Sequence, residues 1–121
     1  MLKYSMERTI EVATTYNKQY YDLVGRRMVE PFVRHWPKHI RLHIYYQEQQ
    51  PEIMEPNLVY HDLYQVQPQL REWVVKHRAP EFRGWREDRG KYVWKNDGVK
   101  FSHKVFAQTH RIRHSDADVL L

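Results

Sequence analysis

Apolar and polar positions alternate at the start of this chain. Ile10, Val12 and Thr14 fall on one side and Glu11, Ala13 and Thr15 on the other, the period-2 pattern of a β-strand. From Lys18 to about His35 the period lengthens. Tyr21, Val24, Gly25, Met28, Val29, Phe32 and Trp36 share one helical face, and Asn17 stands where a side chain can cap the first turn. Pro31 predicts a kink or an end near Glu30, and Pro37 stops the helix. Alternation returns at Ile40 to Tyr46, with Ile40, Leu42, Ile44 and Tyr46 against His39, Arg41, His43 and Tyr45. Two strands joined by a helix of this length make a right-handed βαβ unit with parallel strands. The polar loop Thr14 to Asn17 then lies beyond a strand's carboxyl end, where α/β proteins bind phosphate-bearing or sugar-bearing ligands.

The remaining pattern is more broken. Gln47 to Asn57 is polar, holds Pro51 and Pro56, and reads as a loop, with Leu58 to Tyr60 a short extra strand. Gln67 to Arg78 predicts a second helix, Pro68 suiting its first turn and Leu70, Trp73 and Val74 forming its stripe. Ala79 to Gly98 interleaves glycine with Arg, Trp and Tyr and reads as a long ordered loop. Val99 to about His114 is a third helix, with Phe101, Val105 and Ile112 expected on its inner face. Ala117 to Leu121 opens another strand.

These elements predict an α/β fold across residues 1–121: a Rossmann-like partial parallel sheet of about three strands, flanked by helices. A parallel sheet covered on both sides should be apolar on both faces. Here Glu11, Arg41 and His43 give the strands a polar face. Either that face binds something or its covering layer is absent. A terminal strand ending on two leucines favours the second option, so the chain reads as the N-terminal half of a domain.

Composition narrows the class. A chain of 121 residues is one domain at most. The absence of cysteine removes disulfides, thiolate zinc sites and a cysteine nucleophile. No run approaches the roughly 20 apolar residues of a membrane span. The N-terminus lacks an apolar signal core, so a cytoplasmic location is expected. Twenty basic against 15 acidic side chains give a net charge of +5, which favours anionic partners.

Candidate chemistry is sparse. Ser5, Ser102 and Ser115 lack a nucleophile elbow. None of the four glycines follows the first strand, which argues against a P-loop or a classical dinucleotide site. Asp116 and Asp118 introduce a strand rather than follow one and read as structural or solvated. His103, His110 and His114 share an arc of the third helix with no interleaved acid, among Lys100, Arg111 and Arg113, and read as a solvated basic face. In the 79–98 loop, Arg83, Arg86, Arg89 and Lys91 alternate with Phe82, Trp85, Tyr92 and Trp94. Those are the ingredients of single-strand nucleic-acid binding, diluted by Glu81, Glu87, Asp88 and Asp97.

A strand ending in Thr-Tyr-Asn and running into a helix resembles the opening of nucleotide-diphospho-sugar transferases of the glycosyltransferase A type. The run Lys100-Phe-Ser-His-Lys-Val-Phe-Ala-Gln looks like the helix before that family's metal-binding strand, and Asp116 to Leu121 like the strand's entry. The resemblance implies that Thr14, Thr15, Tyr16 and Asn17 hold the nucleotide. It places Glu48 at the acidic position after the second strand, where the family more often has Asp, and Lys104 nearest the diphosphate. It further implies a nucleotide-sugar donor, an acceptor hydroxyl, and a divalent cation (Mn²⁺ or Mg²⁺) held by an Asp-x-Asp motif just past Leu121. Without that motif and the acceptor half, this chain alone is not expected to transfer a sugar. The alternative is a non-enzymatic module that binds nucleic acid or a protein partner through its basic aromatic loop.

Overall fold

The structure, a computed structural model, describes residues 8–121; Ser5 and the rest of the N-terminal stretch read above lie outside the described residues. Strand β1 (Ile10–Tyr16) leads through Asn17 into a continuous helical rod. The rod consists of α1 (Lys18–Tyr20), a π-helical stretch (Tyr21–Gly25) and α2 (Arg26–His35). Strand β2 (Arg41–Tyr46) follows, then β3 (Leu58–Asp62) and the helices α3 (Leu63–Val66) and α4 (Pro68–Lys76). A 3₁₀ turn (Pro80–Phe82) precedes β4 (Arg83–Arg86) and β5 (Lys91–Asp97). Helix α5 (Gly98–His114) and β6 (Val119–Leu120) complete the order.

The sheet has four strands in the order β3-β2-β1-β6, and all its pairings are parallel. The terminal segment, expected to open a strand, pairs Val119 with Ile10 and Leu120 with Glu11 and brings the sheet to four strands against the expected three or so. Asp118 is structural: its Oδ2 accepts from the Thr9 backbone N–H at 3.0 Å. Among the described residues no helix is long and apolar enough to cross a membrane.

One sheet face packs against the rod. Val12, Leu42, Ile44 and Leu58 meet Tyr21, Val29 and Phe32 in a single cluster. Leu42 and Ile44 are fully buried, a burial that contributes about 2 kcal/mol each. Asn17 caps as predicted, its Oδ1 accepting from Tyr20 N–H at 2.7 Å. Trp36 is extended, as a residue before proline must be, and stacks on Phe32.

Two details of the rod depart from the pattern. Pro31 neither ends nor interrupts it, and α2 runs on to His35. Pro31 and Arg27, whose carbonyl loses its usual donor, are both exposed, so the missing bond falls on the water side. The π-helical stretch adds a residue to one turn, which rotates Val24 out to 52% exposure. It also brings Gly25 so close to Tyr16 that a Cβ there would lie 3.1 Å from that ring.

The other face overturns two expectations about α5. Val105 and Ile112 are 59% and 66% exposed, whereas Val99, Ser102, His103, Ala107 and Arg111 are buried. The polar stripe turns inward because the strand face beneath it is polar too. Helix α5 therefore covers His43 and most of Glu11, whereas Arg41, at the start of β2, stays exposed. His103 and His110 leave the solvated arc assigned to them. His110 Nδ1 lies 2.7 Å from the Tyr45 hydroxyl, and Arg111 Nη1 lies 2.7 Å from His43 Nδ1. Arg111 Nε and His43 Nε2 each stand 3.4 Å from a Glu11 carboxylate oxygen, and Ser115 donates to Glu11 at 2.7 Å.

Residues 79–98 are likewise not a loop but chiefly an antiparallel hairpin, with Trp85 paired to Tyr92 and Arg86 to Lys91. Its alternation is masked in the sequence by a register shift between Arg83 and Trp85. Gly84 makes the shift possible. Its φ is +91°, and a Cβ there would meet the Tyr92 ring at 2.7 Å.

Candidate functional site at the carboxyl edge of the sheet

The connection out of β1 places the rod on one face of the sheet, and the connection into β6 places α5 on the other. Strand order therefore reverses at β1, and in open parallel sheets the crevice at such a reversal is where ligands bind. Two adjoining cavities lie there. The larger, about 440 Å³, is lined by Thr15, Tyr16, Asn17, Glu48 and Lys104, together with residues of α5 and of the hairpin base. The smaller, about 220 Å³, is lined by Thr14, Ala107 and Gln108 and shares Thr15 and Lys104 with its neighbour. All six residues assigned to a nucleotide from the sequence thus border one continuous region. Thr14 to Tyr16 belong to β1 itself rather than to a loop after it, since β1 runs on to Tyr16.

Much of this lining is already committed inside the protein. Thr15 Oγ1 donates to the Tyr45 carbonyl at 2.7 Å and accepts from Gln47 Nε2 at 3.0 Å. The Tyr16 hydroxyl donates to Met28 Sδ at 3.2 Å, leaving the ring as cavity wall. These groups shape the site and hold β1 and β2 at their ends. Glu48 is different. It is exposed, and its φ of +75° is a left-handed conformation that costs a non-glycine residue on the order of 1 kcal/mol.

Cations arrive from α5 and the hairpin. Lys100 Nζ lies 3.9 Å above the Tyr20 ring and hydrogen-bonds its hydroxyl. Lys104 reaches both cavities, and Arg83 lines the larger. Asp97 is the cap of α5: its Oδ1 accepts from Lys100 N–H at 2.9 Å and its Oδ2 from the Tyr92 hydroxyl at 3.0 Å. Tyr64 and His103 add a polar pair to the wall. His103 Nδ1 lies 2.8 Å from the Val99 carbonyl and must donate to it, so Nε2 accepts from the Tyr64 hydroxyl at 2.7 Å. Burial pushes the His103 pKa down and the Tyr64 pKa up, which keeps both neutral and that donor order in place.

Sequence reading missed Tyr20, Tyr64, Arg83, Asp97, Lys100 and His103. Only Asp97 carried a usable signal, an acid directly before the third helix. Tyr64 stands in a four-residue helix too short for any period, and His103 was assigned to the wrong face.

Among the described residues no group of three or more His, Asp or Glu gathers to hold a metal ion. Of the carboxylates at the cavity, Asp97 is spent on its cap and Glu48 joins no group of three ligands, so the donor set does not fit a divalent cation. The cavity's own means of holding an anion are the cations Lys100, Lys104 and Arg83, since the amino end of α5 is already capped by the Asp97 carboxylate.

A wider depression of about 800 Å³ lies at the opposite edge, lined by Thr9, Glu11, His39, Arg41 and Asp116. It adjoins the amino ends of the strands, the wrong end for a ligand of a parallel sheet. Comparison with protein-family models, with curated proteins and with solved structures found no match for this chain.

Proposed function

We propose that this chain is the nucleotide-sugar-binding half of a glycosyltransferase. The observation that carries the reading is convergence: Thr14 to Asn17, Glu48 and Lys104, separated widely in sequence, border adjoining cavities at the reversal point of a parallel sheet. The pyrophosphate lies by Lys104 and Lys100, and the nucleoside lies against Tyr16 and Asn17. In the complete enzyme an acceptor hydroxyl attacks the anomeric carbon. The new C–O bond replaces the bond to the nucleoside diphosphate, which departs with its electron pair while the hydroxyl proton passes to a base. The developing diphosphate charge is what the two lysines stabilise.

Isothermal titration with UDP, GDP, UDP-glucose and GDP-mannose, with and without Mn²⁺, tests this. Saturable binding of at least one is expected, weakened tenfold or more by Lys104→Ala. Failure of all four to bind, Mn²⁺ included, sinks the proposal.

The exposed rings and cations of the β4–β5 hairpin favour a second reading, a nucleic-acid-binding module. It requires affinity for a single strand that falls steeply between low and moderate salt.

A further inference from the structure

The hairpin carries a row of aromatic rings that the cavity does not use. Trp85 and Tyr92 are direct cross-strand partners, and Trp94 follows two residues along β5, in the stretch where the register shifts. They are 41%, 50% and 57% exposed, the large apolar rings that the two strands offer to solvent. The row does not end in solvent. The Trp94 ring lies 6.3 Å from Phe101 on α5, and Lys104 Nζ lies 5.3 Å from the Phe101 ring centre. Lys104 in turn lines both cavities, so the rings lead to the site.

Resting on the nucleotide-sugar reading, we propose that this face holds the acceptor, and that the acceptor is an oligosaccharide. Position is the first argument, because Trp94 adjoins Phe101, whose ring Lys104 of the cavity approaches. The second argument is charge. Between residues 81 and 97, Arg83, Arg86, Arg89, Lys91 and Lys95 are nearly balanced by Glu81, Glu87, Asp88 and Asp97. A nucleic-acid strand brings a negative charge with every nucleotide and is repelled by those carboxylates. A sugar chain brings hydroxyls, which donate to carboxylates and accept from ammonium and guanidinium groups alike, and its C–H faces pack on flat rings. The rings are also held in place. Trp85 Nε1 donates to Glu87 at 3.0 Å, the Tyr92 hydroxyl is tied to Asp97, and Lys95 Nζ lies 5.7 Å from the centre of the Trp94 ring.

Isothermal titration with cellohexaose, chitohexaose, a hexagalacturonate and the oligonucleotide dT12 tests the assignment at low and moderate salt. At least one hexasaccharide is expected to bind with weak salt dependence. Trp94→Ala should weaken it tenfold or more, Trp94→Phe should retain most of the affinity, and nucleotide binding should be unchanged in both. Binding of dT12 in preference to every saccharide, or binding of no saccharide, overturns the proposal. Saccharide binding without nucleotide binding would leave this surface assigned and overturn the nucleotide-sugar reading instead.

Discussion

Arg111 of α5 points its Nη1 at His43 Nδ1 of β2, 2.7 Å away, and both side chains are buried. A guanidinium can only donate, so His43 Nδ1 is the acceptor and its proton sits on Nε2, towards Glu11. The sheet face beneath α5 is therefore held by a charged network whose histidines must stay neutral.

Acid should loosen this layer. Burial first, and the positive Arg111 beside it, lower the His43 pKa from 6.5; burial and neighbouring His43 and Arg111 lower that of His61 to about 4. The unfolded chain then binds more protons than the folded one below pH 6.5, so stability falls as pH drops from 6.5 towards 4. Glu11 has a lowered pKa as well; burial opposes the shift, but the Ser115 hydrogen bond and the charges of His43 and Arg111 outweigh it. It adds a further loss below its ordinary value of 4.5. Denaturant unfolding at pH 7.5 and pH 5 should show clearly lower stability at the acid value. Equal stability at the two would mean the histidines are not held neutral.

Arg111→Met should destabilise the fold by about 3 kcal/mol, because it leaves the Glu11 carboxylate without its cation in a mostly buried place. Adding Glu11→Gln should recover part of that loss rather than add to it. Urea denaturation of the two single variants and the double variant measures the coupling, and strict additivity would show that the pair does not interact.

Glu48→Gly should raise stability by roughly 1 kcal/mol, since glycine takes a φ of +75° without strain. The same change should weaken nucleotide binding if the carboxylate is used there. A lower melting temperature would show that Glu48 is held by contacts worth more than its backbone strain.

Asn17 caps the rod and borders the larger cavity, and one substitution can separate the cap from the proposed nucleotide contact. Asp at this position keeps an oxygen for Tyr20 N–H and so keeps the cap, whereas Ala should cost about 1 kcal/mol. Asn17→Asp also puts a negative charge at the larger cavity. Nucleotide affinity should then drop tenfold or more at an unchanged melting temperature. Unchanged affinity would leave Asn17 as a helix cap and nothing more.

What was legible in the sequence was what depends on near neighbours. β1, β2 and the rod announced themselves through alternation, a helical stripe and Asn17. The parallel pairing followed from their spacing. The inner face of α5 was not legible, because polar side chains are buried on it: Ser102 turns back to the Val99 carbonyl, His103 meets Tyr64, and Arg111 meets Glu11 and His43 on strands dozens of residues away. The hairpin hid for a related reason: a register shift at Gly84 breaks the period that would have revealed it. Of the candidate site, the β1 end, Glu48 and Lys104 could be named in advance, while Tyr64, Arg83 and His103 depend on how α3, the hairpin and α5 are placed.

The polar seam between α5 and the sheet restricts how this chain can vary over evolutionary time. An apolar core tolerates exchange of one aliphatic side chain for another at small cost. A seam held by ion pairs and hydrogen bonds does not, because each solitary change strands a partner. Drift at Arg111 should therefore be accompanied by change at Glu11 or His43. Among homologous chains, those three positions should vary as a set, while exposed Val105 and Ile112 on the outer side of the same helix vary independently.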